Sequence, residues 1–94
     1  MKQNILKDKS FYFAIRIVNL YKYLKKEHNE NILSRQLIRS GTSIGAIVRE
    51  AEYAESPKDF IHKLSIGLKE ANESKYWLDI LVTRNLLIRK CMNL

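Results

Sequence analysis

The sequence has few of the residues that interrupt helices or cross-link chains. One proline and three glycines in 94 residues are too few for a turn-rich β architecture. Cys91 is the single cysteine, which excludes an internal disulfide framework and favours a reducing, cytoplasmic location. No stretch of about 18 apolar residues is free of charge, so we expect no membrane-spanning helix and no membrane partner. The polar N-terminus also lacks the apolar run of a signal peptide.

Acidic residues are also scarce, and the excess of positive charge is uneven. There are 17 Lys and Arg against 10 Asp and Glu, for a net charge of +7. Residues 1–40 carry +6, residues 41–82 carry −2, and residues 83–94 carry +3. This asymmetry indicates a polyanionic partner such as nucleic acid, with simple solubility as the alternative.

Residues 56–81 give the clearest helical signal. Ser56 is a suitable N-cap, Pro57 fits the first helical position, and Asp59 lies where a capping box places its acceptor. Apolar or small residues then recur in alternating steps of four and three, which is the heptad spacing of a helix packed along others. These residues are Phe60, Leu64, Gly67, Ala71, Ser74, Leu78 and Leu81.

Two more helices are predicted before this one, at about 10–26 and 32–54, in a single domain covering 1–94. Residues 1–9 are predicted to be a loose leader, and residues 82–94 a short fourth segment or tail. Gly41 and Gly45 lie among small residues in the second helix, which predicts a close crossing with another helix. They lack the spacing of a phosphate-binding loop. The fold class is therefore all-α, an antiparallel up-down helix bundle.

Apolar residues cover more than half the circumference of the first helix, more than one core-facing stripe requires. Part of this helix must therefore face something other than its own bundle, and we prefer self-association to a ligand groove. Trp77 is a further anchor, with its indole N–H satisfied by a polar neighbour, while a base-stacking role is the alternative. The candidate oligomer interface comprises Phe11, Phe13, Ile17, Tyr21 and Trp77.

The remaining narrow face of the first helix combines cations with tyrosines. Cations neutralise phosphates and tyrosine rings stack on exposed bases, although an ordinary solvated face has the same composition. This face carries Lys9, Tyr12, Arg16, Asn19, Tyr23 and Lys26. The candidate nucleic-acid contacts of the whole chain are Lys9, Arg16, Lys22, Lys26, Arg35, Arg39, Arg84, Arg89 and Lys90.

Motifs for catalysis or metal binding are weak. Asp59-x-x-His62 resembles half of a di-metal element, but it occurs once, and Asp59 is better explained as a capping residue. Glu50, Glu52 and Glu55 could suggest a metal-dependent nuclease, but their spacing distributes them around a helix. We therefore expect no catalytic residues, no metal site, no cofactor and no enzymatic activity.

The order and spacing of several blocks closely resemble one bacterial family over about residues 10–81. The blocks are RSGTSIGA at 39–46, EA at 50–51, SPKDFIHKLSI at 56–66, KEA at 69–71 and YWL at 76–78. They are similar to the four helix bundle proteins, also called 23S ribosomal RNA intervening-sequence proteins, to which an accessory protein of diversity-generating retroelements is related. The resemblance implies an antiparallel four-helix bundle, a homopentamer and a basic surface for nucleic acid. It brings no catalytic residues and no cofactors.

The chain departs from the family pattern in two places. Ile47 replaces a polar residue, and the family's fourth helix is largely absent after Leu81. An uncovered heptad seam would face water, so we expect an obligate oligomer in which a neighbouring subunit completes the bundle, or a shortened member with exposed core. The predicted function is non-enzymatic binding of RNA or DNA by this oligomer. The alternative is a protein-interaction scaffold, for example for a reverse-transcriptase-like partner.

Overall fold

Three α-helices make up the described part of the chain. The structure is a computed structural model that describes the backbone of residues 2–86 and the side chains of residues 5–86. The helices are α1 (Lys2–His28), α2 (Leu33–Ala51) and α3 (Pro57–Thr83), and these residues include no strand. A 27-residue helix is about 40 Å long. The molecule measures 44 × 21 × 18 Å, so α1 and α3 run along most of its length.

Helix α1 begins earlier than the sequence predicts. The expectation of a loose leader at residues 1–9 is wrong from Lys2 onward, because the chain is helical there. The leader is polar, but it contains no glycine or proline, and lysine, leucine and glutamine all favour a helix. Lys7 also forms an ion pair with Glu52, the residue just after α2, with 3.5 Å between Nζ and Oε1. The polar composition of this segment therefore does not exclude a helix, because Lys7 attaches the segment to the rest of the fold.

The carboxylate of Glu30 caps the start of α2. It accepts hydrogen bonds from the backbone N–H groups of Ile32, Leu33 and Ser34 at 3.1, 3.0 and 2.6 Å. Partial burial of this carboxyl raises its pKa, but the hydrogen bonds from Leu33, Ser34 and Ile32 together hold the pKa below its ordinary value. Three backbone donors that have no partner within the helix are thus satisfied by one side chain.

Helix α2 ends at Ala51, before the predicted limit of Ala54. The backbone N–H groups of Glu52, Tyr53 and Ala54 each donate to the carbonyl three residues earlier, at 3.0 to 3.2 Å. This tightening of the last turn ends the α-helix and leads into the extended Ser56.

Helix α3 begins as predicted and ends slightly later. The Ser56 hydroxyl accepts the Asp59 N–H at 3.0 Å, whereas the Asp59 carboxylate accepts the N–H of Glu55, one residue earlier than a capping box requires. Hydrogen bonds from Glu55 and Lys63 hold the pKa of Asp59 below its ordinary value. At the other end, Asn85 adopts a left-handed φ of 60° and Leu86 N–H donates to Leu81, which is a Schellman closure.

Helices α1 and α2 approach most closely at Gly41. A Cβ atom added there would be only 2.8 Å from Cγ1 of Ile17, and one added at Gly45 would be 3.4 Å from the carbonyl oxygen of Ser10. The predicted close crossing is confirmed. Ile17, Ser10 and Lys7, in order toward the start of α1, thus meet Gly41, Gly45 and Glu52, in order toward the end of α2. The beginning of α1 therefore pairs with the end of α2.

Helices α2 and α3 meet through small residues. The Ser74 hydroxyl donates to the Ser40 hydroxyl at 2.8 Å, and both side chains are buried. Toward the other end of the pair, Ile47 Cγ2 is 3.5 Å from the position of a Cβ on Gly67. The apolar side chain at position 47 therefore packs against α3, which explains why a polar residue is unnecessary there.

The core combines all three helices. Ile17, Leu24, Leu37 and Leu81 form a buried cluster with contributions from α1, α2 and α3. The partly buried residues packed against it are Phe13, Leu20, Leu33, Ile38, Trp77, Leu78, Val82 and Leu86. Every residue of the predicted heptad seam of α3 is buried or half-buried, so that seam is confirmed. No helix among the described residues is long and apolar enough to cross a membrane.

The fourth segment predicted at 82–94 is only partly described. Val82 and Thr83 complete α3, and residues 84–86 form its C-terminal closure. Residues 87–94 lie outside the described residues.

Candidate nucleic-acid interface

Six polar side chains follow one exposed face of α1. They recur in steps of three and four, so they lie on the same side of the helix. All six are exposed, as the sequence predicts: Lys9, Tyr12, Arg16, Asn19, Tyr23 and Lys26. Lys9 and Lys26 are 17 residues apart, so this α1 row is about 26 Å long.

The three cations of the α1 row are available to a ligand. Within the described part of the chain, Lys9, Arg16 and Lys26 form no ion pair with an Asp or Glu side chain. The carboxylates nearest in sequence are Asp8 and Glu27, at the two ends of the row, and the stretch between them has no acidic residue. The row therefore carries positive charge with no acidic residue of α1 between its two ends.

The two tyrosines of the α1 row are each held by a second ring. Tyr12 is 64% exposed, and its ring lies edge-to-face with Phe11 at a centroid distance of 5.5 Å. Tyr23 is 39% exposed and makes the same kind of contact with His28 at 5.4 Å. The Tyr23 hydroxyl also lies 3.3 Å from His28 Nε2. An edge-to-face contact occupies at most one ring face, so each tyrosine retains an open face.

The other predicted phosphate contacts divide into three groups. Lys22 is exposed on α1 one turn before Lys26, beside the α1 row. Arg35, at the start of α2, and Arg84, just after α3, are also exposed. These residues lie at the end of the molecule where Leu24, Leu37 and Leu81 meet in the core. Arg89 and Lys90 lie outside the described residues.

Arg39 is placed differently from the other cations. Its guanidinium donates to Glu70 at 3.5 Å and to Glu73, both on α3 of the same chain. The sequence analysis places Arg39 among the phosphate contacts, but its acceptors are carboxylates on the neighbouring helix of the same chain. Its side chain is 50% exposed, and its charge is already compensated. Arg39 is a weaker phosphate contact than the sequence suggested.

Glu73 connects this ion pair to Trp77. The Trp77 indole N–H donates to Glu73 Oε2 at 3.1 Å, as the spacing of one turn predicts. Trp77 is half-buried against the core, and its ring lies 5.2 Å from that of Tyr76. Trp77 is thus a packing residue of its own chain.

The predicted oligomer interface is mostly used within the chain. Ile17 is only 3% exposed and packs against Gly41, so it offers no surface to another copy, and its inclusion was wrong. Phe13 and Trp77 pack against the core, and Tyr21 is half-buried, with its hydroxyl accepting from Lys25. Phe11 alone of these residues remains exposed, at 44%.

Other exposed apolar side chains lie where the sequence analysis did not place an interface. Ile15 is exposed one turn after Phe11, and the Cζ atom of Arg49 lies 5.4 Å from the Phe11 ring centroid. On α3, Ile61 and Leu68 are exposed and seven residues apart. That seven-residue spacing beside the main seam is the sequence signal that would have identified them.

The carboxylates considered as metal ligands do not form a cluster, and two of them, Asp59 and Glu52, have partners within the fold. Asp59 binds the Glu55 N–H and the Lys63 ammonium at 3.2 Å, while Glu52 pairs with Lys7. No group of three His, Cys, Asp or Glu side chains comes together as a metal site among the residues described.

Comparison with known proteins agrees with the resemblance seen in the sequence. The family model of the 23S rRNA-intervening sequence protein matches residues 2–93. A crystal structure of a protein with unknown function, from the S23 ribosomal protein family of Bacteroides thetaiotaomicron, is similar with a TM-score of 0.93 and 58% identity. The alignment covers 96% of this chain and 80% of that chain. A search of curated proteins finds no match. The chain belongs to the 23S rRNA-intervening sequence protein family.

Proposed function

We propose that this protein is a non-enzymatic, homo-oligomeric protein that binds RNA or DNA through the α1 row. The observation that carries the proposal is the exposure of all six row residues, with three cations that have no carboxylate partner among the described residues. Residues 1–40 also hold +6 of the net charge of +7. Such a strip attracts a phosphate backbone and releases its counterions.

The binding follows from the kinds of groups in the row. Lysine and arginine contact phosphates, which provides affinity without sequence selection. Lys22, Arg35 and Arg84 extend the positive surface around one end of the molecule. An oligomer presents several copies of this surface, so that modest affinity at each copy adds up to tight binding by multivalency.

Self-association is the second part of the proposal. Phe11 and Ile15 form an exposed apolar stripe on α1 beside the row, so a second copy can cover it without covering the cations. We propose a cytoplasmic homopentamer, the assembly that the family resemblance implies.

We also propose that a fourth helix completes the bundle. Contacts between opposite ends of successive helices support the proposal of an antiparallel up-down bundle. A fourth helix, from this chain or a neighbouring subunit, would cover Ile61 and Leu68 on α3.

A salt titration of the assembled protein tests the proposal. Light scattering first establishes the mass of the assembly, for which we expect five chains. Fluorescence anisotropy with labelled oligonucleotides then gives the affinity at several salt concentrations. We expect log K to fall with log salt with a slope of about −2 or steeper, since each subunit presents three row cations. If the assembled oligomer binds no nucleic acid at low salt, the proposal is wrong and the scaffold alternative replaces it.

A further inference from the structure

We infer that the α1 row is a binding site for single-stranded nucleic acid, with bases stacked on Tyr12 and Tyr23 and phosphates held by Lys9, Arg16 and Lys26. This inference rests on the proposed function and names the class of nucleic acid that the row accepts.

The alternation of residue types along the row is the first argument. Its order is cation, ring, cation, amide, ring, cation, so each tyrosine lies one turn from at least one cation. A single strand likewise presents bases and phosphates side by side along its length. Grooves that bind single strands combine the same two groups, a positive track and aromatic side chains.

The dimensions of the row agree with a short strand. A stacked strand advances about 3.4 Å per nucleotide, so a row of about 26 Å corresponds to about eight nucleotides. The two tyrosines are 11 residues apart, which is about 16 Å, or about five stacked nucleotides. Site sizes of about 4 to 16 nucleotides are usual for single-strand binding folds.

The tyrosine rings are also pre-oriented. Phe11 contacts the Tyr12 ring and His28 contacts the Tyr23 ring, each edge-to-face, which restricts the rotation of both tyrosines. Less side-chain entropy is therefore lost when a base stacks on the open face.

A duplex does not use these rings. Its bases stack on one another and expose only their edges, so the open faces of Tyr12 and Tyr23 have no base to receive. Only the cations would contribute, through phosphates, and the single strand gains the stacking contribution that the duplex lacks.

The chain provides a matched control for the stacking residues. Tyr53 is 84% exposed but follows α2 among Glu50, Glu52 and Glu55, where a phosphate backbone is repelled. Replacing Tyr53 therefore removes an exposed tyrosine without altering the row.

The test compares a labelled 12-nucleotide single strand with the matching duplex, as DNA and as RNA, by anisotropy. The variants are Tyr12→Ala with Tyr23→Ala, the same pair changed to Phe, and Tyr53→Ala, each checked for helix content by circular dichroism. We expect wild type to bind the single strand at least tenfold more tightly than the duplex. The double Ala variant should lose about a hundredfold on the single strand and little on the duplex, because each stacked base contributes about tenfold. The Phe pair and Tyr53→Ala should resemble wild type.

The outcomes separate this inference from the proposed function. Equal affinity for single strand and duplex, or an unchanged double Ala variant, would overturn the single-strand assignment and leave nucleic-acid binding in place. If neither single strand nor duplex binds wild type, the proposed function itself is wrong. Preference for a single strand over a duplex agrees with the inference whether it is seen with DNA or with RNA. Tighter binding of RNA than of DNA would indicate contacts with the 2′-hydroxyl.

Discussion

Gly41 sets the distance between α1 and α2. Its Cα lies against the buried Ile17, whose Cγ1 and Cγ2 atoms leave no room for a methyl group. Ile17 branches at Cβ and is enclosed by the core, so it cannot rotate away cheaply. A helix-destabilising residue is thus required here because of the packing.

We expect Gly41→Ala to destabilise the protein by up to about 2 kcal/mol, because overpacking costs about 1–3 kcal/mol and the gain in helix propensity offsets only about 1 kcal/mol of it. Gly67→Ala is the matched control, since its new Cβ would lie 3.5 Å from Ile47, an ordinary contact distance. That variant should be neutral or more stable by up to about 1 kcal/mol. Urea unfolding of both variants measures the difference, and equal effects would show that the crossing is not tight at Gly41.

At the scale of elements, the start of α2 depends on a residue two positions before its N-cap. Ile32 occupies the N-cap position without a side-chain hydrogen bond, and Glu30 performs the capping from outside the helix. The three accepted N–H groups hold the Glu30 pKa below its ordinary value despite partial burial. This carboxylate therefore stabilises the fold only while it is ionised.

We expect Glu30→Gln to lose about 0.5–2 kcal/mol at neutral pH, the range for loss of an N-cap. Because the folded-state pKa is lowered, the contribution of Glu30 is fully present above the unfolded pKa of about 4.3 and is lost as pH falls through the folded pKa. Urea unfolding at pH 7 and pH 3 should thus show a difference between wild type and variant that shrinks in acid. Glu27→Gln, an exposed glutamate in the last turn of α1, is the control. A difference that persists unchanged at pH 3 would contradict the capping role of the charge.

Elements were predictable where their determinants are local. The Ser56 cap, the α3 seam and the exposed α1 row follow from residues a few positions apart, and the structure agrees with each. Partners across helices were less predictable, because periodicity does not fix how two helices rotate against one another. The pairing of Arg39 with Glu70 and Glu73 and the burial of Ile17 against Gly41 depend on this rotation, so the sequence did not predict them.

At the scale of the whole molecule, the two ends of the bundle differ in charge. The end of α1, the start of α2 and the end of α3 meet around Leu24, Leu37 and Leu81. Basic residues outnumber acidic ones at this end, with Lys22, Lys25, Lys26, Arg35 and Arg84 against Glu27, Glu30 and Asp79. The opposite end holds Glu50, Glu52, Glu55 and Asp59, although Lys7, Lys63 and Arg49 partly compensate it. A polyanion would therefore approach along α1 and toward the basic end.

The most direct test of nucleic-acid binding by the α1 row compares two charge reversals with the same net charge. Arg16→Glu changes the centre of the row, while Lys69→Glu changes an exposed lysine on α3. Both lower the net charge from +7 to +5, so only the location of the change differs. Anisotropy with a labelled single strand at low salt should show at least a tenfold loss for Arg16→Glu and little change for Lys69→Glu. Equal losses for the two variants would contradict a specific role of the row and leave only the general charge of the molecule to account for binding.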